Sequence, residues 1–370
     1  MKKIIIIEFV HYQYALTLTE LFKDSEIIYV FSETILNSLK RFQPEFNIDN
    51  VWIYQPNNLK NKYDELINRI NSENPDILCI DPIFDNFKYF AEISKKVKSK
   101  IIFTTHNINT WFRPSIRGFR DFKEKIYKKR IINNSEFIAV EDFIYNYLKD
   151  KEPNLFNKYK FVYIPYTIYY GKVNKVKRSD NKIKIVLPGS IDKERRRYEY
   201  IINVIKKLVL ETDKFIFSFA GPGIGEYGGN IIKQLEEINN KYSGSIIYFK
   251  EKPDPEQFRY EMESADIVLS TSTKYFYTLG TKEIIGETKP TAAIHDMISF
   301  VLSGILPSHL NIPEELKTSS MQYKNEDELY SCIKSLLDER KIQELKENAQ
   351  NNSLEFTSEK ILNKNIIKFY

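Results

Sequence analysis

Short apolar runs that alternate with longer segments of helical period predict an α/β protein of two Rossmann-like domains, each an open parallel sheet clothed in helices. A second observation is that the alternation runs twice. It is broken by GKVNKVKRSDNK (171–182), a polar, basic stretch without apolar period that reads as a linker. A third is size, since 370 residues exceed what one core of ordinary dimensions holds. Open sheets of this kind bind ligands beyond the carboxyl ends of their strands. Two of them therefore imply a cleft between the domains.

In the first half the strand-like runs are IIIIEFV (4–10), EIIYVF (26–31), VWIY (51–54), DILCID (76–81), IIFTTH (101–106), FIAV (137–140) and FVYIP (161–165). Their β-branched and aromatic content suits strands buried on both faces. Between them lie helical segments such as YDELINRINSE and FKYFAEISKKVK. The second series is IKIVLPG (183–189), KFIFSFAG (214–221), SIIYFKE (245–251), DIVLST (266–271) and ILP (305–307), with the helices YEYIINVIKKL and EQFRYEMESA. The tail, EDELYSCIKSLLDERKIQELKENAQ and SEKILNKNIIKFY, reads as helix. The expected division is an N-terminal domain over 1–172, a C-terminal domain over 173–345, and closing helices over 346–370 that pack back on the N-terminal domain.

A 42% hydrophobic content excludes a disordered chain, and a formal charge of +5 is too modest to argue for nucleic acid. Cys79 and Cys332 lie far apart in apolar surroundings, which reads as two buried thiols in a reducing compartment. The opening MKKIIIIEFVHYQ is too short in its apolar run for a signal or a membrane span, and a first buried strand fits it better. A cytoplasmic protein is expected, free or peripheral on the inner face of the membrane.

Four stretches carry candidate chemistry. In LPGSIDKERRRY (187–198) three arginines follow a strand and a Pro-Gly-Ser turn. Tyr198, Ile201, Ile202, Ile205 and Leu208 form the buried stripe of the next helix. Continuing that helix backwards sets Arg196 towards solvent, with Arg195 and Arg197 on the shoulders of the stripe. Cations at a helix start are unfavourable without an anion, so Arg195 and Arg197 are expected to meet phosphate beside Gly189 and Ser190. The competing reading is a solvated first turn.

FAGPGIGEYGGN satisfies G-x-G-x-x-G through Gly223, Gly225 and Gly228, with Glu251 ending the next strand. The helix is expected to start late, near Asn230. A flexible loop is favoured over a dinucleotide site, with Gly221 and Gly223 free to offer backbone to a nucleotide. In YTLGTKEIIGETKPTAAIHDMISF (277–300), Thr288 is a candidate cap and Pro290 suits a first helical turn. Thr288, Lys289 and Thr291 would meet phosphate, and Glu287 sugar hydroxyls. His106 ends a strand facing the cleft, and His11 follows the first strand in a similar position, whereas His295 and His309 read as structural. No Cys/His/Asp group has metal-ligand spacing, so no metal is expected. Finally, RGFRDFKEKIYKKRI (117–131) interleaves seven basic residues with Phe119, Phe122, Ile126 and Tyr127. It reads as a solvated helix or as an interfacial helix for an anionic membrane surface.

Taken in order, these pieces resemble a glycosyltransferase of the GT-B architecture, closest in layout to family 4 (glycosyl transferases group 1). SEFIAVEDFIYNYLKD followed by KFVYIPYTI resembles the end of that family's first domain. IKIVLPGSIDKERRRYEYIINVIKKL, FIFSFAGPG and IIYFKEKPDPEQFRYEMESADIVLS follow the order of its second. The resemblance spans nearly the whole chain through element order. It implies a nucleotide-sugar donor, UDP- or GDP-linked, on the C-terminal domain, a glycan or lipid-linked acceptor on the N-terminal domain, and no metal or other cofactor. The family's diphosphate pair is an arginine directly after the strand glycine and a lysine a little further on. Here Ser190 takes the first place and Arg195 the second, with Arg197 or Lys289 left to supply the missing cation. For the family's paired glutamates Glu283 and Glu287 are the candidates, although Thr291 and His295 break the pattern. His106 stands where the family carries a sugar-contacting histidine. If the transfer inverts, His106 or His11 is the expected base, whereas a retaining transfer lets the leaving phosphate take the proton and needs no protein base. Two alternatives stay open: an NAD(P)-dependent oxidoreductase built on Gly223–Gly228, and a non-catalytic glycan-binding protein of the same fold.

Overall fold

The computed structural model describes residues 1–42, 49–171 and 173–364. Residue 172, at the expected domain boundary, and 365–370 of the closing helices lie outside the described residues. The first half supplies β1 (Lys3–Glu8), β2 (Glu26–Phe31), β3 (Val51–Ile53), β4 (Ile77–Ile80), β5 (Lys100–Thr104), β6 (Phe137–Val140) and β7 (Phe161–Tyr163). The second supplies β8 (Ile183–Pro188), β9 (Phe215–Ala220), β10 (Ile246–Tyr248), β11 (Ile267–Leu269), β12 (Tyr275–Thr278), β13 (Thr281–Ile284), β14 (Ser303–Pro307) and β15 (Ser320–Tyr323).

Each half builds a parallel, doubly wound sheet. The first has the order β3-β2-β1-β4-β5-β6-β7 and the second β10-β9-β8-β11-β14-β15. Successive residues of β1 point to opposite faces, and both faces are buried. Ile4 and Ile6 enter one apolar cluster, Ile5 and Ile7 the other. The first of these clusters also takes in Val186 and Val268 of the second sheet, so one apolar body connects the two halves. In both sheets the chain winds outward, then returns to the other side of its first strand. That reversal opens a crevice at the carboxyl ends of β1 and β4, and another at those of β8 and β11.

Several expectations change. β12 and β13 form an antiparallel hairpin of their own in a stretch where no strands were expected. The glycine-rich helix begins at Gly225, earlier than Asn230. The helix after the arginine run begins at Glu199, later than expected. Cys332 is half-buried, whereas Cys79 is buried. The closing helix Ser358–Lys364 packs on the helix Tyr12–Leu21, with Ser358 Oγ donating to Glu20 at 3.1 Å.

Candidate active site

The two crevices hold different chemistry. In the first, Ile7 of β1 is paired with Ile80 of β4, which sets the next residues, Glu8 and Asp81, side by side. Both are buried, and Glu8 Oε2 and both Asp81 oxygens have no well-formed hydrogen bond, the Thr104 hydroxyl being the neighbouring donor for Asp81. Burial, then mutual repulsion, pushes the Asp81 carboxyl well up, and burial raises Glu8. The pair therefore holds a proton. Glu8 also accepts from the backbone N–H groups of Val10 and His11, fixing the turn that carries the His11 ring.

The second crevice holds Arg196. The chain from Asp192 to Arg197 is irregular, and Arg196 forms an isolated bridge with Ser272 beyond β11. The backward helical projection therefore fails, because there is no helix at 195–197 to project. Arg196 turns inward, half-buried, and donates from Nη1 to the Ser190 carbonyl at 2.7 Å. Its guanidinium lies over Gly189, where a Cβ would come within 2.5 Å of Nη2, and Gly189 has φ +89°. Only glycine suits both the turn and the arginine. Arg195 is exposed, beside Asp192 at 3.6 Å and over the Phe276 ring at 5.0 Å. Arg197 is also exposed, its backbone N–H donating to Thr271 at 2.9 Å.

Lys289 also lies by the Phe276 ring, 5.3 Å from its centroid, and donates to Asn107 Oδ1 at 2.8 Å. Burial lowers its ammonium pKa to about 8. The next helix, Ala292–Phe300, has Thr291 as its N-cap residue, with no side chain bonded to its first N–H groups. Thr291 Oγ1 lies 3.4 Å from Ser272 Oγ, at the edge of the Arg196 crevice. Thr288 is not the cap. Its buried hydroxyl donates to Glu283 at 2.7 Å and accepts from Ile284 N at 2.8 Å, so it is engaged with its own hairpin. Glu287 is half-buried and close enough to Tyr147 to raise that phenol's pKa.

Glu283 is likewise withdrawn from any sugar. Fully buried, it accepts from Asn109 N at 3.2 Å, and from Thr110 N and Thr110 Oγ1, both at 2.7 Å. These groups open the helix Ile108–Phe112 of the first half, so the hairpin's carboxylate caps a helix across the cleft.

Gly221, Gly223 and Gly228 of the second half are also packing residues. A Cβ on Gly221 would meet the Gly189 carbonyl oxygen at 2.3 Å, and one on Gly223 the Gly228 backbone at 2.7 Å. The Gly223–Gly228 turn is closed on itself, which lets its helix approach the 189–191 turn.

Between the crevices the imidazoles meet. His11 and His106 lie 5.4 Å apart, and each lies within 5.3 Å of the Tyr166 ring. Burial, reinforced by neighbouring cations, lowers His11 to about 4 and His106 well below the ordinary value, so both are neutral near pH 7. His106 Nε2 is buried without a partner. His295, expected to be structural, also lies here. Its Nε2 is 3.0 Å from Glu141 Oε1, and Tyr166 stacks on its ring at 4.6 Å. Tyr166, Glu141 and Asn107 are site residues that the sequence did not single out, and Arg196 is one that it placed in solvent. Glu141 had one usable signal, its place directly after the end of β6, and Tyr166 a weaker one, three residues beyond the end of β7. His309 lies apart from this group, its Nε2 buried without a partner.

A cavity of about 530 Å³ lies elsewhere, between the linker (173–182) and the amino ends of β8 and β11. Its charges largely answer one another, with Arg178 and Lys346 both on Asp266. The cleft is the better site because convergent, partly unsatisfied polar groups define it, and this cavity has few of these.

No protein-family model matches the sequence, and no curated protein matches it either. Solved structures do. A glycosyltransferase from Rickettsia africae superposes with a TM-score of 0.63 at 14% identity, over 98% of this chain and 96% of its own. Anabaena HepE, solved with UDP and glucose, gives 0.64 at 12% identity over 98% of both chains. Sucrose-phosphate synthase from Thermosynechococcus elongatus gives 0.60 at 11%, over 96% and 95%. What is shared with these structures is the whole two-sheet arrangement, and the fold of this chain is GT-B, two Rossmann-like domains facing across a cleft.

Proposed function

We propose that the protein is a glycosyltransferase, moving a sugar from a nucleoside-diphosphate sugar to a hydroxyl of a glycan or lipid-linked acceptor. The observation that carries this reading is the facing of two unlike crevices. A guanidinium sits in the second, beside the bare start of the helix Ala292–Phe300, and neutral imidazoles stand against the first. Breaking a sugar–diphosphate bond builds negative charge on the leaving phosphate. Arg196, Lys289, Arg195 and free backbone N–H groups are the donors that would stabilise it, with Arg197 at the rim. In this reading Gly189, Ser190, Gly221 and Gly223 shape the donor side, Thr291 contacts the phosphates, and Glu287 is left for a sugar hydroxyl. His106 and His11 line the acceptor side. The chain's own cations meet the diphosphate, and no metal takes part.

UDP is the first nucleotide to test, because HepE is solved with UDP and glucose and a further neighbour with UDP. The experiment is a panel of UDP-, GDP-, CMP- and dTDP-sugars, read by thermal shift and then by turnover. Stabilisation by at least one donor, followed by release of its nucleoside diphosphate, is the expected result. Stabilisation by NAD(P)H alone would return the protein to the oxidoreductase reading. Binding of glycan without any donor turnover would make it a binding protein.

A second feature bears on the acceptor. Along the helix Phe119–Asn134, Phe119, Phe122 and Ile126 are exposed at helical spacing, with Ile116 exposed just before them. Arg120, Lys123, Lys125, Lys129 and Arg130 surround them in solvent. Apolar side chains ringed by cations suit the surface of an anionic bilayer, which fits a lipid-linked acceptor.

A further inference from the structure

Three imidazoles converge in the cleft, and they are not equivalent. His106 has its Nε2 buried without a partner, and no carboxylate orients its ring. His11 is wedged between Phe84, His106 and Tyr166, with centroid separations of 6.0, 5.4 and 5.2 Å. His295 alone has an orienting carboxylate. Its Nε2 meets Glu141 Oε1 at 3.0 Å, and the same oxygen accepts from the backbone N–H of Tyr166 at 2.8 Å, which fixes the carboxylate in turn. Tyr166 stacks on the imidazole with an interplanar angle of 19°, fixing its plane as well. Nδ1 has no protein partner among the described residues.

The pair also spans the cleft. Glu141 follows β6 of the first sheet, and His295 lies in the helix Ala292–Phe300 of the second half, a little over one turn beyond its bare start. A base whose second nitrogen is held by a carboxylate has one tautomer and one direction, the arrangement general-base catalysis needs. The two members come from facing domains, so the contact between them depends on how those domains meet.

We infer that His295, aimed by Glu141 of the facing domain, takes the proton of the acceptor hydroxyl; this rests on the glycosyl-transfer reading above. The O–H bond breaks and its proton goes to Nδ1. The oxygen's electron pair forms the new bond to the anomeric carbon. The bond from that carbon to the diphosphate oxygen breaks, its pair leaving with the nucleoside diphosphate. Glu141 stabilises the imidazolium until the proton passes to water. A single displacement of this kind inverts the anomeric centre.

The test uses the full chain and whichever donor the panel turns over, with UDP as the binding probe. His295→Ala is expected to lower kcat by about 10²–10⁴-fold while UDP affinity stays within about threefold. Added imidazole should restore at least about tenfold of that loss, which a structural role would not allow. Glu141→Gln should cost about 10–100-fold without imidazole rescue. The product's anomeric configuration, read by NMR, should be inverted. A retained configuration overturns the inference. So does a His295→Ala enzyme within threefold of wild type, or one whose UDP affinity falls as far as its turnover. If the wild type neither binds nor turns over any donor, the glycosyl-transfer reading fails first and takes the base with it. Wild-type turnover with an unaffected variant sinks the base alone.

Discussion

The carboxylate of Glu283 is bound by the backbone N–H and the hydroxyl of Thr110, both at 2.7 Å, across the boundary between the two halves of the chain. Asn109 N and Thr288 Oγ1 complete its shell. Burial outweighs these four donors and raises the carboxyl's pKa, yet the ionised form is the one that can accept all four. Glu283→Gln replaces one acceptor oxygen with an NH₂ facing donors. It should cost about 2–4 kcal/mol by denaturant unfolding. It should also raise hydrogen exchange in Asn109–Trp111 more than in β8 and β9. Equal protection in both places would mean that the hairpin does not tie the halves together.

The Arg196 guanidinium and the missing Cβ of Gly189 occupy one place. Gly189→Ala must therefore displace the arginine as well as strain a residue at φ +89°. Both Gly189→Ala and Arg196→Ala are expected to weaken UDP binding by about tenfold or more, the scale of one charge-assisted contact. Arg195→Ala should cost no more than Arg196→Ala, and Arg197→Ala less. Isothermal titration gives the comparison, and a tolerated Arg196→Ala would restore the picture of a solvent-facing bystander.

The strands were readable because both faces of each sheet are buried. IIIIE and EIIYVF had no room for polar alternation, and their composition announces them. The hairpin was not readable. Tyr275–Thr278 alternates exposed and half-buried side chains over four residues, and the partner of Glu283 is 173 positions away. The arginine run misled for a related reason. The apolar period of Tyr198–Leu208 continues smoothly backwards, while the contact that ends the helix is a non-local bridge from Arg196 to Ser272. His295 was hidden by its neighbours. Between Ile294 and Met297 it reads as part of a core stripe, and its meaning depends on Glu141, 154 positions away. Local period is written in the sequence, whereas pairing across a cleft is written only in the fold.

Lys289 gives the donor side a pH dependence. Its pKa is lowered to about 8, so the cation is present below that value and lost above it. A diphosphate needs the cation. UDP affinity should therefore hold steady from pH 6.5 to 7.5 and then fall, at most roughly tenfold per unit. Lys289→Met, which keeps volume, should bind weakly and with a flatter profile. An unchanged slope in the variant would assign the titration to another group.

Phe119 is 71% exposed on the helix Phe119–Asn134, with Phe122 and Ile126 beside it along one side. Changing all three to serine removes little buried area, so Tm should move by less than about 2 °C. Binding to vesicles containing phosphatidylglycerol should fall at least about fivefold in a sedimentation assay, and salt should weaken what remains. Vesicles of neutral lipid should bind neither protein. Undiminished binding by the triple variant would remove this surface from the account of the acceptor.

Glu8 and Asp81 make the fold itself sensitive to pH. In the unfolded chain both carboxyls ionise near their ordinary values of 4.5 and 3.8, whereas both are raised in the folded protein. Below the ordinary values both states are protonated and the pair contributes no slope. As pH rises through them, the unfolded chain releases protons that the folded pair keeps. Stability must then fall with pH until the folded values are passed. Asp81→Asn removes one ionisable group and leaves an NH₂ that can donate to Glu8, whose Oε2 otherwise lacks a donor. The variant should therefore match the wild type at pH 4 and exceed it at pH 8. Each kcal/mol relieved should appear as a Tm rise of about 2–4 °C. A lower Tm at pH 8 would show that the proton between these two side chains stabilises the crevice more than the buried charge destabilises it, and would make the pair a structural hydrogen bond.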